Sequence, residues 1–258
     1  MCSIFFLYNM HPEFRLILAS NRDEFTCRPT SPAGFWDDET SILAGRDLQN
    51  MGTWLGITKT GRIAAITNYR DPASLKAETP SRGALVSDFL SGNQPSKNYL
   101  EHVKATGHIY NDFNLITCDS SGLYYYSNRS DKIMELQPGL YGLSNHLLDT
   151  PWPKVERGKE MFKDLLNLGR TEIVEKTFNI LADNYHPPED TLPDTGVGSE
   201  MERLLSPIFI STDGYGTRSS SVILIGKSND VTFIERSFIQ KSETNTEQET
   251  REFSFQIK

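Results

Sequence analysis

Four short runs of this chain are apolar at every position: Ile4-Phe5-Phe6-Leu7, Leu16-Ile17-Leu18-Ala19, Ile63-Ala64-Ala65-Ile66 and Val222-Ile223-Leu224-Ile225. A strand with one wet face alternates apolar and polar residues. A continuous apolar run of strand length needs cover on both faces. Two stacked sheets with helices outside provide that cover, and so does one sheet between helix layers. The strand candidates are too many for one compact sheet. The expected fold is therefore α+β, a four-layer α-β-β-α sandwich of two stacked, mainly antiparallel sheets with the helices outside. It is expected to span residues 1–258 as a single domain, a length that buries such a core easily.

The remaining pattern fills in this scheme. Strands are expected at 2–8 and 15–20, joined by the polar turn Asn9-Met10-His11-Pro12-Glu13. Further strands are expected at 54–58, 62–68, 114–118, 123–126, 139–144, 206–211, 219–226, 231–238 and 252–257. Helical spacing marks 82–91 and 98–105, with Gly92 as a stop between them, and also 151–168 and 171–182. Residues 25–48 read as loop with short strand pieces, 186–202 as a Pro/Gly/acid-rich loop, and 241–251 as a polar, weakly structured tail.

A formal net charge of −8 argues against nucleic acid and against an anionic membrane surface as partners. No stretch approaches the roughly 20 apolar residues of a membrane span, and no basic leader opens the chain. Three cysteines, Cys2, Cys27 and Cys118, form no CxxC pair and no zinc pattern, which suits a reducing, cytoplasmic setting.

Cys2 stands directly behind the initiator methionine. Removal of Met1 would leave a thiol and a free α-amino group on one residue. An α-amino pKa near 8 lies close to neutrality, so a single residue can supply nucleophile and base. Cys2 also simply begins an apolar strand. Polar residues at the ends of buried strands decide whether it does more, because burying them unpaired is costly. The first such group is Asn21-Arg22-Asp23-Glu24, where strand alternation puts Asn21 and Asp23 on one face and Arg22 and Glu24 on the other. Asn68 and Asn145 each end an apolar run. Both residues are common turn formers, and both carry an amide able to donate to an oxyanion. Arg218, in Gly214-Tyr215-Gly216-Thr217-Arg218, sits beside three serines. A cation there lowers a thiol pKa, holds a substrate carboxylate, or pairs with Asp23 or Glu24 for structure alone.

Taken together, Met1-Cys2, Asn21-Arg22-Asp23-Glu24, Thr67-Asn68-Tyr69, Gly142-Leu143-Ser144-Asn145 with Thr150-Pro151-Trp152, and Gly214-Tyr215-Gly216-Thr217-Arg218 resemble the NRDE family over essentially the full chain. That family in turn is similar to the cysteine N-terminal-nucleophile hydrolases, such as choloylglycine hydrolases and penicillin V acylases, which implies the α-β-β-α fold. The resemblance implies Cys2 as nucleophile, Asp23 as the acid at the N-terminus, Asn68 and Asn145 as its flanking pair, and Arg218 as the late-strand arginine. Arg22 departs from the hydrolase pattern, since the early arginine there precedes the acid by several residues. Asn21, Tyr69 and His146 are expected ligand contacts. The implied chemistry is amide or thioester hydrolysis or acyl transfer on a small or lipid-like substrate, with no cofactor required. Family biology implies haem trafficking and acyl-lipid or coenzyme A homeostasis instead, so a haem or acyl-ligand carrier without turnover stands as the other expectation. It also implies a mitochondrial association in eukaryotic relatives.

Overall fold

The computed structural model describes residues 2–242 and 245–258. In chain order its strands are β1 (Cys2–Tyr8), β2 (Phe14–Phe25), β3 (Thr30–Phe35), β4 (Ile42–Asp47), β5 (Leu55–Thr58), β6 (Ile63–Asn68), β7 (Phe113–Asp119), β8 (Gly122–Ser127), β9 (Lys132–Glu135), β10 (Gly139–Leu143), β11 (Ser211–Thr212), β12 (Tyr215–Gly226), β13 (Asp230–Ser242) and β14 (Asn245–Gln256). The α-helices are α1 (Gly83–Ser91), α2 (Ser96–Thr106), α3 (Pro153–Lys163), α4 (Arg170–Leu181) and α5 (Ser199–Leu204). The class is α+β, and the paired strands are antiparallel. The chain divides into two compact units.

The first unit comprises Met1–Cys27, Pro138–Ser144 and Leu148–Phe255. Its sheet runs β10-β1-β2-β12-β13-β14, with the short β11 on β12. Alternation divides each central strand between two faces. Phe5, Leu7, Ile17, Ala19, Val222 and Leu224 share one face and form a core with Phe162 of α3 and Ile173, Phe178 and Leu181 of α4. Each fully buried Leu, Ile, Val or Phe side chain among them contributes about 1.5–3 kcal/mol. Helix α3 lies close on β1 because residue 158 is glycine: a Cβ there would stand 2.2 Å from the Phe5 ring. The other face of the same strands carries Cys2, Ile4, Phe6, Ser20, Arg22, Ser219 and Ser221.

The second unit comprises Arg28–Gln137, Asn145–Leu147 and Gln256–Lys258. Its sheet keeps chain order, β3-β4-β5-β6-β7-β8-β9, and α1 and α2 pack on it. Gly56 in β5 admits Leu90 of α1, whose Cδ1 would lie 2.6 Å from a Cβ at that position.

Four expectations need correction. Residues 25–48 hold two regular strands, β3 and β4. Their register slips between Ser31 and Gly34, where Pro32 has no N–H to give, and β3 is an edge strand, the place where a sheet tolerates proline. Of the strand expected at 206–211, only Ser211 is in one, as the first residue of the short β11; residues 206–210 are irregular. Their backbone is satisfied irregularly: Ile208 O accepts from Asn21, Phe209 N donates to Asp183 O, and Ile210 N donates to Thr217 Oγ1. The helix expected over 151–168 ends as α3 at Lys163, and a 3₁₀ turn follows over Asp164–Asn167. Finally, the polar tail is part of the long ribbon β13–β14, apart from residues 243–244, which lie outside the described residues. Ladder hydrogen bonds come from the backbone, so a strand can form there without an apolar pattern.

Candidate active site

Strand β1 begins at Cys2, and its register on β2 is Cys2↔Arg22 and Ser3↔Asn21. Residues directly opposite in an antiparallel pair project to the same face. Cys2 and Arg22 therefore stand side by side, both buried, at 8% and 5% exposure. The Cys2 carbonyl accepts from Ser144 Oγ at 3.4 Å. Burial pushes the Cys2 thiol above its ordinary value. Positive charge at the chain's N-terminus pulls it down, the Asp23 carboxylate adds to the rise, and Arg22 and the Asp23 backbone oppose it. The net effect keeps sulfur as thiol near neutral pH. Arg22 has Glu24 as an acidic neighbour, Nη2 to Oε2 at 4.0 Å.

Asp23 follows on the opposite face of β2, paired in register with Thr217 of β12. Its Oδ1 accepts from Thr217 Oγ1 at 2.7 Å, and its carbonyl accepts from Tyr215 OH at 3.1 Å. Thr217 Oγ1 accepts in turn from Ile210 N at 3.0 Å. The carboxylate is thus 1% exposed and held through a hydroxyl that is itself held. Thr217 carries a legible signal, as the β-branched hydroxyl residue in the Gly214–Arg218 motif.

Arg218 occupies a bulge. The ladder passes from Thr217↔Asp23 to Ser219↔Arg22, so its register shifts at residue 218. Its Nη1 donates to the carbonyls of Phe25 and Thr26, both at 2.8 Å, so it fastens the chain leaving β2. Arg22 is a side-chain cation whose charge acts on Cys2. Alternation turns Arg22 away from Asp23, and that same geometry turns it toward Cys2. A groove of about 500 Å³ runs past Arg218, with Thr217, Tyr215, Ile210, Phe209 and Phe238 in its walls.

Asn21, expected at a ligand, is spent on the frame. Its Nδ2 donates to Leu181 O at 2.8 Å and Ile208 O at 2.9 Å, and its Oδ1 accepts from Ser220 Oγ at 2.6 Å. These bonds tie the end of α4 and the irregular 206–210 segment to β2.

In the second unit, Asn145 Nδ2 donates to both oxygens of Asn68, to Oδ1 at 2.9 Å and to the carbonyl at 3.2 Å. Arg70 N donates to Asn145 O at 2.7 Å, and its guanidinium reaches Asn145 Oδ1 at 3.5 Å. Asn145 is fully buried and committed. Its grip fixes the Asn68 amide so that Nδ2 of Asn68 is the donor left over among the described residues. Arg70, a buried cation at this pair, carries no sequence signal beyond following Tyr69. The rings of Tyr69 and His146 lie 4.7 Å apart, with Arg129 over Tyr69 and paired to Asp71 and Asp112 at 2.8 and 3.1 Å. Burial, then Arg129, holds His146 below its ordinary value, so the imidazole is neutral at pH 7. Among the described residues no group of three or more His, Cys, Asp or Glu side chains is placed to hold a metal ion. No described helix is long and apolar enough to cross a membrane.

A solved structure resembles this fold. A Caenorhabditis elegans N-acylethanolamine-hydrolyzing acid amidase ortholog superposes with a TM-score of 0.51 at 11% identity, over 86% of this chain and 92% of that one. The fold is that of the N-terminal-nucleophile hydrolases. Sequence comparison then gives the family. The profile described as Transport and Golgi organisation 2 matches residues 1–240. The human Transport and Golgi organization protein 2 homolog is 40% identical over 99% of this chain and 100% of its own length, and the Bos taurus homolog is 39% identical over the same shares. This chain belongs to the Transport and Golgi organisation 2 family, the NRDE family of the motif at 21–24.

Proposed function

We propose that this chain is a cysteine acyl hydrolase or transferase acting on an amide or thioester, with Cys2 as its N-terminal nucleophile once Met1 is removed. The register of β1 on β2 carries this reading. It sets Cys2 beside Arg22, and one step further β2 supplies Asp23, the acid that the resemblance assigns to the freed α-amino group. Cys2 Sγ attacks the acyl carbonyl while its proton passes to the α-amino group. The tetrahedral oxyanion then collapses. The leaving amine or thiol takes that proton, and an acyl thioester remains on Sγ until water or another acceptor removes it. A thiol held protonated by burial needs such a base, and an amine titrating near 8 suits the task. Asp23, gripped by Thr217, orients the ammonium that forms. The resemblance gives the oxyanion to Asn68 and Asn145, and of the two Asn68 has the available N–H.

A second reading draws on the relatives' names, which speak of transport and Golgi organisation rather than a reaction. In it the chain carries haem or an acyl ligand without turnover. The test is turnover over a panel of amides and thioesters with Cys2→Ala as control. The enzyme reading expects product release that Cys2→Ala abolishes and Asp23→Asn slows about 10²-fold. A Soret shift on haem titration, with no turnover and no sensitivity to Cys2→Ala, supports the carrier and overturns the enzyme.

A further inference from the structure

A groove of about 410 Å³ opens in the second unit, along α1 and α2 and apart from the residues discussed above. Its walls include Asp88 of α1, Tyr99 and His102 of α2, Tyr110 just beyond, and Arg62 of the loop before β6. Two charges of opposite sign line it, and they are not equally engaged. Arg62 is committed on every side. Its Nη1 pairs with Asp119 at 3.5 Å, Nε and Nη2 donate to Phe89 O at 3.1 and 2.9 Å, Nη2 also donates to Gln94 O at 2.8 Å, and the guanidinium lies over the Phe89 ring.

Asp88 is the reverse case. Its carboxylate is exposed on α1 and makes no hydrogen bond and no ion pair among the described residues. Tyr99 and Tyr110 line the same groove as Asp88. Tyr99 OH donates to Leu85 O at 2.6 Å, which pins that ring in the wall. An uncompensated carboxylate flanked by two tyrosine rings is the composition that recognises an organic cation: the carboxylate supplies the counter-ion, and the rings supply cation–π contact. Inorganic cations fit poorly, because a single carboxylate leaves most of their coordination unfilled.

We propose that the α1–α2 groove binds a small organic ammonium ion, with Asp88 as counter-ion and the rings of Tyr99 and Tyr110 as its aromatic walls. The site stands independently of any chemistry at Cys2. A titration with choline tests it, monitored by saturation-transfer NMR on the full chain, beside the uncharged carbon isostere 3,3-dimethylbutan-1-ol. The two probes share shape and differ in charge, so the comparison needs no variant. Saturable choline binding at least fivefold tighter than the isostere is expected, with a loss of about fivefold in Asp88→Asn, the scale of one exposed ion pair. The choline resonances should show transfer from aromatic protons that Tyr110→Leu weakens. Equal affinity for the two probes, no saturable choline binding, or full retention of affinity in a folded Asp88→Asn protein would each overturn the proposal.

Discussion

Thr217→Val tests the frame around Asp23 with little change of shape. Valine fills the same volume, so no cavity forms, but two hydrogen bonds vanish. The first is the 2.7 Å bond to the Asp23 carboxylate, and a bond to a charged group contributes about 1.5–3 kcal/mol. The second is the 3.0 Å bond from Ile210 N, whose loss leaves a buried donor unpaired at about 1–3 kcal/mol. Thr217 borders the groove beside Arg218, so water relieves part of this penalty and the lower half of the range applies, about 3 kcal/mol in all. For a chain of this size that corresponds to a fall in Tm of about 6–12 °C, read by differential scanning calorimetry. Thr217→Ser keeps both bonds and removes only a methyl group, so it should cost about 1 kcal/mol or less. The reasoning fails if valine melts within a degree or two of the parent, or if serine is as damaging as valine.

Two further outcomes follow from packing and burial. The Cys2 thiol is raised in the fold from an ordinary 9.0, so its contribution to stability is complete below that pH and is lost as pH climbs through the folded value. Urea denaturation across alkaline pH should therefore fall less steeply for Cys2→Ala than for the parent, and parallel curves would contradict the assignment. Gly158→Ala gains about 1 kcal/mol of helix propensity but drives a Cβ to 2.2 Å from the buried Phe5 ring. A net loss of about 1–3 kcal/mol is expected by the same denaturation assay, and a stabilised protein would show that α3 is not seated on β1 as described.

Much of the fold was legible because a few strands are apolar on both faces. The 2–8 run is bounded by a polar turn, and β1 has those limits. Helices α1, α2 and α4 followed from their apolar spacing in the same way. Legibility failed where backbone, not side-chain pattern, decides. The far end of β13 and the start of β14 are polar in sequence, and their ladder does not depend on composition. The 206–210 segment looks like a strand by its isoleucines, yet its carbonyls and N–H groups go to Asn21, Asp183 and Thr217. The candidate site was legible as a set of residue types but not as a set of contacts. Alternation alone turned Arg22 from Asp23. Only the register of β1 showed that this brings it to Cys2, and only the bulge showed that the β2–β12 register shifts at Arg218.

The most direct measurement is tandem mass spectrometry of the N-terminal peptide after brief exposure of the purified protein to an activated acyl ester. The account predicts a peptide that begins at Cys2 and carries the acyl group on Sγ, removable by hydroxylamine. A peptide that still begins with Met1, or an acyl group located elsewhere while Cys2 stays unmodified, would contradict it.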